Sequence, residues 1–177
     1  MIRATRRSVL AGALAVPTIA GLASWRWRHG ERSLLVHDPA LDAGRRFAAA
    51  GQARGGEVLA IEGDRIRFTR AALERRPALI AGVSRHADAL LIEDVAREAG
   101  YQRVAALQGN AGRCAGHDCE GGWGSLGTMA QAAGAGWIEA LAEYAVQPGQ
   151  AGTFVPAGAR RRTDAGLVVG WVLAARA

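Results

Sequence analysis

Four short apolar runs, each followed by polar or helix-like sequence, constrain this chain more than any other feature. They are Leu34-Leu35-Val36, Val58-Leu59-Ala60-Ile61, Leu79-Ile80-Ala81-Gly82-Val83 and Val104-Ala105-Ala106-Leu107. Runs of this length, bounded by turn residues, read as strands buried on both faces. Asp38-Pro39 reads as a helix start: Asp38 is expected to accept from the free amides of the first turn, and Pro39 suits the first helical position. That helix is predicted to reach about Arg54, with Leu41, Gly44, Phe47, Ala48 and Gly51 on one face and Gly55 as its stop. A second helix is predicted over Ala87–Ala99, with Leu91, Val95 and Ala99 inward and Gly100 at its end. Gly63–Arg76 fits either a hairpin with Ile66 and Phe68 inward or a loop leading to a short helix from Thr69. Strand–helix–strand units at this spacing imply right-handed crossovers and a sheet covered on both sides.

The expected fold is therefore α/β: one domain over residues 24–177, with a mostly parallel, three-layer, flavodoxin-like or Rossmann-like sheet. The tail adds an antiparallel element, Thr153-Phe154-Val155 and Leu167–Leu173, separated by a turn carrying Arg160-Arg161-Arg162. Both faces of the last strand are apolar, so it should be covered on both sides although it comes last. A helix is expected from about Ile138 to Val146. Between Gly109 and Gly136 nine glycines break every period. A glycine-rich loop over 109–136 is the expectation, and a loop so long inside a compact domain normally has a task.

The first residues carry a different kind of signal. Thr5-Arg6-Arg7-Ser8-Val9-Leu10 precedes an uncharged stretch from Ser8 to Ala23, the pattern of a twin-arginine (Tat) export signal over residues 1–23. The stretch falls short of the roughly 20 strongly apolar residues of a comfortable membrane span, and Pro17 interrupts its helix. Small residues at Gly21 and Ala23 fit cleavage before Ser24, and Thr18 and Ala20 fit cleavage before Gly21. The expected location is periplasmic or otherwise exported. If the signal is not cleaved, the protein would be membrane-anchored, with Trp25-Arg26-Trp27-Arg28 at headgroup level.

Charge narrows the partners. The formal net charge of +6 falls to +3 once Arg3, Arg6 and Arg7 leave with the signal. So weak a balance is no nucleic-acid footprint. The expected partners are the Tat translocase during export and a periplasmic protein. No sequence motif assigns a cofactor: the dinucleotide fingerprint and the phosphate loop are both missing.

Two groups of residues could carry chemistry. In an open parallel sheet, ligands bind beyond the carboxyl ends of the strands. Here those ends bring His37, Asp38, Asp64, Ser84, Arg85 and His86 to one rim, although strands commonly end in solvated polar residues anyway. Asp38 and Ser84 also suit helix capping. Gly82-Val83-Ser84-Arg85-His86 approaches a nucleophile elbow but has His86 where the second glycine belongs. The second group is Cys114-Ala115-Gly116-His117-Asp118-Cys119. In an oxidising compartment Cys114 and Cys119 read as a disulfide. Cys114, His117 and Cys119 are the alternative, a soft metal-ligand set, and free or redox-active thiols remain a third reading.

Together the signal, Leu35-Val36-His37-Asp38, Ala81-Gly82-Val83-Ser84-Arg85-His86 and Val169-Gly170-Trp171-Val172-Leu173 resemble a group of small, uncharacterised Tat signal-containing exported bacterial proteins. The resemblance implies export and assigns neither an activity nor catalytic residues. The functional expectation is an exported accessory or binding protein that assists a periplasmic partner such as a redox enzyme. Trp123 and Arg160-Arg161-Arg162 would then be docking contacts. The alternative is a small periplasmic enzyme acting at the strand-end rim, with His37 or His86 as general base.

Overall fold

In the computed structural model the described residues are 32–108, 113–119, 124–146 and 164–176, with side chains described except over 113–125. Arg6, Arg7 and the rest of the expected export signal, Trp123, the expected strand at Thr153-Phe154-Val155 and the Arg160-Arg161-Arg162 run lie outside them. The chain runs through β1 (Ser33–His37), α1 (Asp42–Ala53), β2 (Glu57–Ala60), α2 (Arg65–Glu74), β3 (Leu79–Arg85) and α3 (His86–Glu98). It continues through β4 (Tyr101–Gln108), β5 (Arg113–Cys119), α4 (Gly124–Ala133), a 3-10 turn (Gly134–Gly136), α5 (Trp137–Val146) and β6 (Val168–Ala175). The ambiguous stretch after Gly63 is thus a helix, started by Asp64, whose side chain accepts from the Arg67 amide.

The strands form one six-stranded sheet in the order β2-β1-β3-β6-β4-β5. The architecture is α/β, but the sheet is mixed rather than mostly parallel. β1 pairs parallel with β2 and β3, whereas β6 is antiparallel to both β3 and β4 and β5 is antiparallel to β4. The last strand sits inside the sheet, between β3 and β4, and every residue from Val168 to Ala174 is buried. Its continuous apolar character has this cause: helices cover both of its faces. The glycine-rich region is also not one long loop, since β5, α4 and the 3-10 turn fall within it.

Alternation along the strands divides the core. Leu35, Leu79, Ala81, Val83, Val168 and Val172 face α1, α4 and α5, where they meet Phe47, Leu126, Leu141 and Tyr144. Leu34, Val36, Ile80, Val169, Trp171 and Leu173 face α2 and α3, where they meet Ala72, Ile92 and Ala96. On α3 the inward residues are Ile92, Val95 and Ala96. Leu91, expected inward, is instead 49% exposed, because the buried stripe is set one residue further along.

Two tryptophans pack closely against the sheet because glycines make room for them. A Cβ at Gly82 would run into the Trp171 ring, and one at Gly170 would stand 2.6 Å from Cζ3 of Trp137. The helices α1 and α5 are tied by ion pairs. Arg46 grips Glu139 through two 2.7 Å contacts and also donates to the Ala135 carbonyl, and Arg54 meets Glu143 at 3.0 Å. Gly55 and Gly100 follow α1 and α3 with φ of 75° and 85°, the left-handed conformation that ends a helix most cheaply with glycine. Among the described residues no helix is long and apolar enough to cross a membrane.

Candidate functional site

The sheet has a topological switch point between β1 and β3. These strands are neighbours, yet α1 leaves β1 towards one face and α3 leaves β3 towards the other. Such a point opens a crevice at the strand ends where α/β proteins hold ligands. The residues that flank it here are His37 and Asp38 after β1 and Ser84, Arg85 and His86 at the end of β3. The fold therefore brings five of the six expected rim residues to the ends of two neighbouring strands. The sixth, Asp64, follows β2 on the far side of β1 and is exposed.

Asp38, Ser84 and Arg85 have side-chain partners within the fold. Asp38 is 3% exposed. Its amide extends the β1–β3 ladder to the Val83 carbonyl at 3.0 Å, and its Oδ1 accepts from the Ala40 amide at 2.9 Å. Its Oδ2 lies 3.3 Å from Nη1 of Arg85, an ion pair that lacks hydrogen-bond alignment. Arg85 is half exposed, so solvent weakens that attraction. The Asp38 side chain closes a turn and does not cap α1, as its position before Pro39 suggested. The helix begins only at Asp42, and the residue before it, Leu41, supplies no side-chain cap.

The cap comes from far along the chain. Asp164 accepts from the Asp42 amide through Oδ1 at 2.6 Å and from the Ala43 amide through Oδ2 at 2.9 Å. One carboxylate thus satisfies two of the orphan amides at the α1 N-terminus and complements its dipole. Gly44 supports this geometry, because a Cβ there would collide with the Asp38 carbonyl.

Ser84 is wholly buried. Its Oγ accepts from Nε1 of Trp171 at 3.0 Å and donates to the Arg85 carbonyl at 3.1 Å. It is neither a cap for α3 nor a free nucleophile. His86 opens α3, donates its amide to the Leu167 carbonyl at 3.2 Å, and is exposed. With Leu90, Glu93, Arg103 and Trp171 it lines a hollow of about 20 Å³, room for one water. That hollow lies on the α3 face of the sheet, and His37 is not among its walls.

His37 lies two positions after Leu35 on β1 and so shares its face, the α1 side. It is half-buried, and its Nδ1 is buried without a hydrogen-bond partner. Burial lowers its pKa from the usual 6.5, with the neighbouring Asp38 pulling the other way. The imidazole is therefore neutral at neutral pH.

Three further residues, Arg65, Asp88 and Asp164, brace the helix starts near the rim and carry no local sequence signal. Arg65 grips Asp88 at 3.0 Å, a contact that raises the Arg65 pKa and joins the first turns of α2 and α3. Asp164 is the third, and its partners lie 122 and 121 residues earlier, a pairing that no local pattern announces. The side chains of Cys114, His117 and Cys119 lie outside the described ones, so only their backbone register is assigned. Among the described residues no group of three or more His, Cys, Asp or Glu is arranged to hold a metal ion.

By fold the chain is a layered α/β protein with a mixed sheet and a switch point between β1 and β3. Compared with known proteins, it matches no family model, no curated protein and no solved structure.

Proposed function

We propose that the chain is an exported accessory or binding protein that acts by holding a periplasmic protein partner, and that the strand-end rim is a structural feature rather than a reaction centre. The observation that carries this reading is Asp164 on the α1 N-terminus. A helix start at a switch point is the usual seat of an anionic ligand. Here the chain's own carboxylate occupies it. The buried Ser84, engaged with Trp171, supports the same reading. The twin-arginine pattern supports a folded protein released into the periplasm, or held at the membrane if the signal stays on. The modest charge argues against nucleic acid.

The flavodoxin-like part of the fold reading rests on the order β2-β1-β3 and on β4 beyond it. On this reading β6 is an antiparallel insertion into an otherwise flavodoxin-like series. A second reading has one observation in its favour. His37, neutral and with an unpartnered Nδ1 beside Asp38, has the makings of a general base for a small periplasmic enzyme.

Affinity purification of the full chain from its native periplasm, with mass spectrometry of co-purifying proteins and small molecules, separates the two. The accessory reading expects a stoichiometric protein partner that is retained in His37→Ala and His86→Ala variants. A lone monomer with a bound small molecule, lost on His86→Ala, overturns it. In the same cells, Arg6→Lys with Arg7→Lys should strand the protein in the cytoplasm. Normal periplasmic accumulation of that variant contradicts twin-arginine export.

A further inference from the structure

The backbone register of β5 joins its two cysteines to one short stretch of β4. Cys119 pairs with Ala105 and Cys114 with Leu107, and the register shifts between them. The two cysteines are five positions apart on β5, yet their partners are two apart on β4. Three extra residues are therefore bulged out of β5. An unbroken strand would put two positions five apart about 16 Å from each other, and no disulfide could join them. Partners two apart on β4 are about 6.6 Å from each other, which fixes a similar spacing for the paired positions. A disulfide needs Cα atoms roughly 4.4–6.8 Å apart. Ala105 and Leu107 also belong to the same core cluster, on the α1 side of the sheet.

We propose that Cys114 and Cys119 form an intrastrand disulfide that closes this bulge and fixes the register of edge strand β5 on β4. Two thiols and one small-molecule or protein disulfide exchange: the Cys114–Cys119 bond forms, the oxidant's disulfide is reduced to two thiols, and both protons pass to its sulfurs. The pairing needs no rearrangement of the sheet, so it can close on an already folded chain. That suits a protein exported folded from a reducing compartment, and this one point rests on the export reading. Because the closed loop is short, the effect is local. β5 and α4, which packs on it, are the elements it holds.

The test uses the full chain purified under reducing conditions and then exposed to glutathione disulfide. Intact mass and thiol alkylation are read before and after. The expected product is a monomer lighter by two hydrogens, with neither cysteine alkylatable. Hydrogen exchange should slow in β5, α4 and Ala105–Gln108, while Leu34–Val36 stays unchanged. Two glutathione adducts without an internal bond, or a disulfide-linked dimer, overturn the proposal. So does a stoichiometric metal ion on the reduced protein that blocks alkylation until chelated, which would assign Cys114, His117 and Cys119 as ligands. Periplasmic protein isolated with alkylation at harvest tests the export clause separately. Free thiols there, with clean closure in vitro, remove the clause and leave the clasp.

Discussion

Replacing Ser84 by alanine leaves the Nε1 proton of Trp171 buried without an acceptor. An orphaned buried donor costs about 1–3 kcal/mol, and the lost Oγ should lower the urea midpoint accordingly. Trp171→Phe should lower it by a similar amount. The double variant should be less unstable than the sum, since both singles break one bond. Additive losses would show that the 3.0 Å contact carries little. His37 gives a pH signature. Its folded pKa lies below its unfolded value, so the unfolded chain takes up the proton first. Stability is complete above about pH 6.5 and falls as the pH drops from there towards the folded pKa. His37→Gln should flatten the thermal midpoint between pH 7 and pH 5, and an unchanged slope would assign it to other groups. At this scale the sequence was legible in position and not in role. It put His37, Asp38, Ser84, Arg85 and His86 at strand ends, because strand ends follow from apolar runs. It did not reveal that Ser84 serves an indole on a strand 87 residues away.

The element most exposed to testing is α1. Its N-terminus is held by Asp164, and loss of a capping side chain costs about 0.5–2 kcal/mol. Asp164→Ala should fall in that range by chemical denaturation, with the largest gain in hydrogen exchange at Asp42 and Ala43. An effect spread evenly over α1 and α5 would mean that Asp164 acts by packing instead. The boundaries of β1, β3 and β4 were readable because each is a compact apolar run. The start of α1 was not, because Asp38-Pro39 imitates a cap while the chain makes one more turn before the helix begins. The segment after Gly109 reads as a loop for a similar reason. Glycines mask periodicity, and β5 and α4 draw their order from β4 and from each other rather than from local preference.

For the whole molecule, the sequence carried the α/β class, and the strand order came only from the structure. The reason is β6. Its residues are apolar on both faces wherever it sits, so pattern alone cannot choose between an edge and the interior. The glycines at 82 and 170, which admit Trp171 and Trp137, record the interior choice, but they are readable only once the partners are known. The insertion of β6 also brings Asp164 to α1, since the residue lies just before that strand. The functional reading therefore turns on one contact: a chain whose own carboxylate fills the helix start has no vacancy there for a small anion. Nuclear magnetic resonance of the 15N-labelled protein reads that contact through the Asp42 and Ala43 amides during titration with phosphate and with a nucleotide. The account predicts amides that do not respond in the wild type and that shift saturably with phosphate in Asp164→Ala. A saturable shift of both amides in the wild type, at ligand concentrations that leave the rest of the spectrum unmoved, would contradict it and make the rim a binding site.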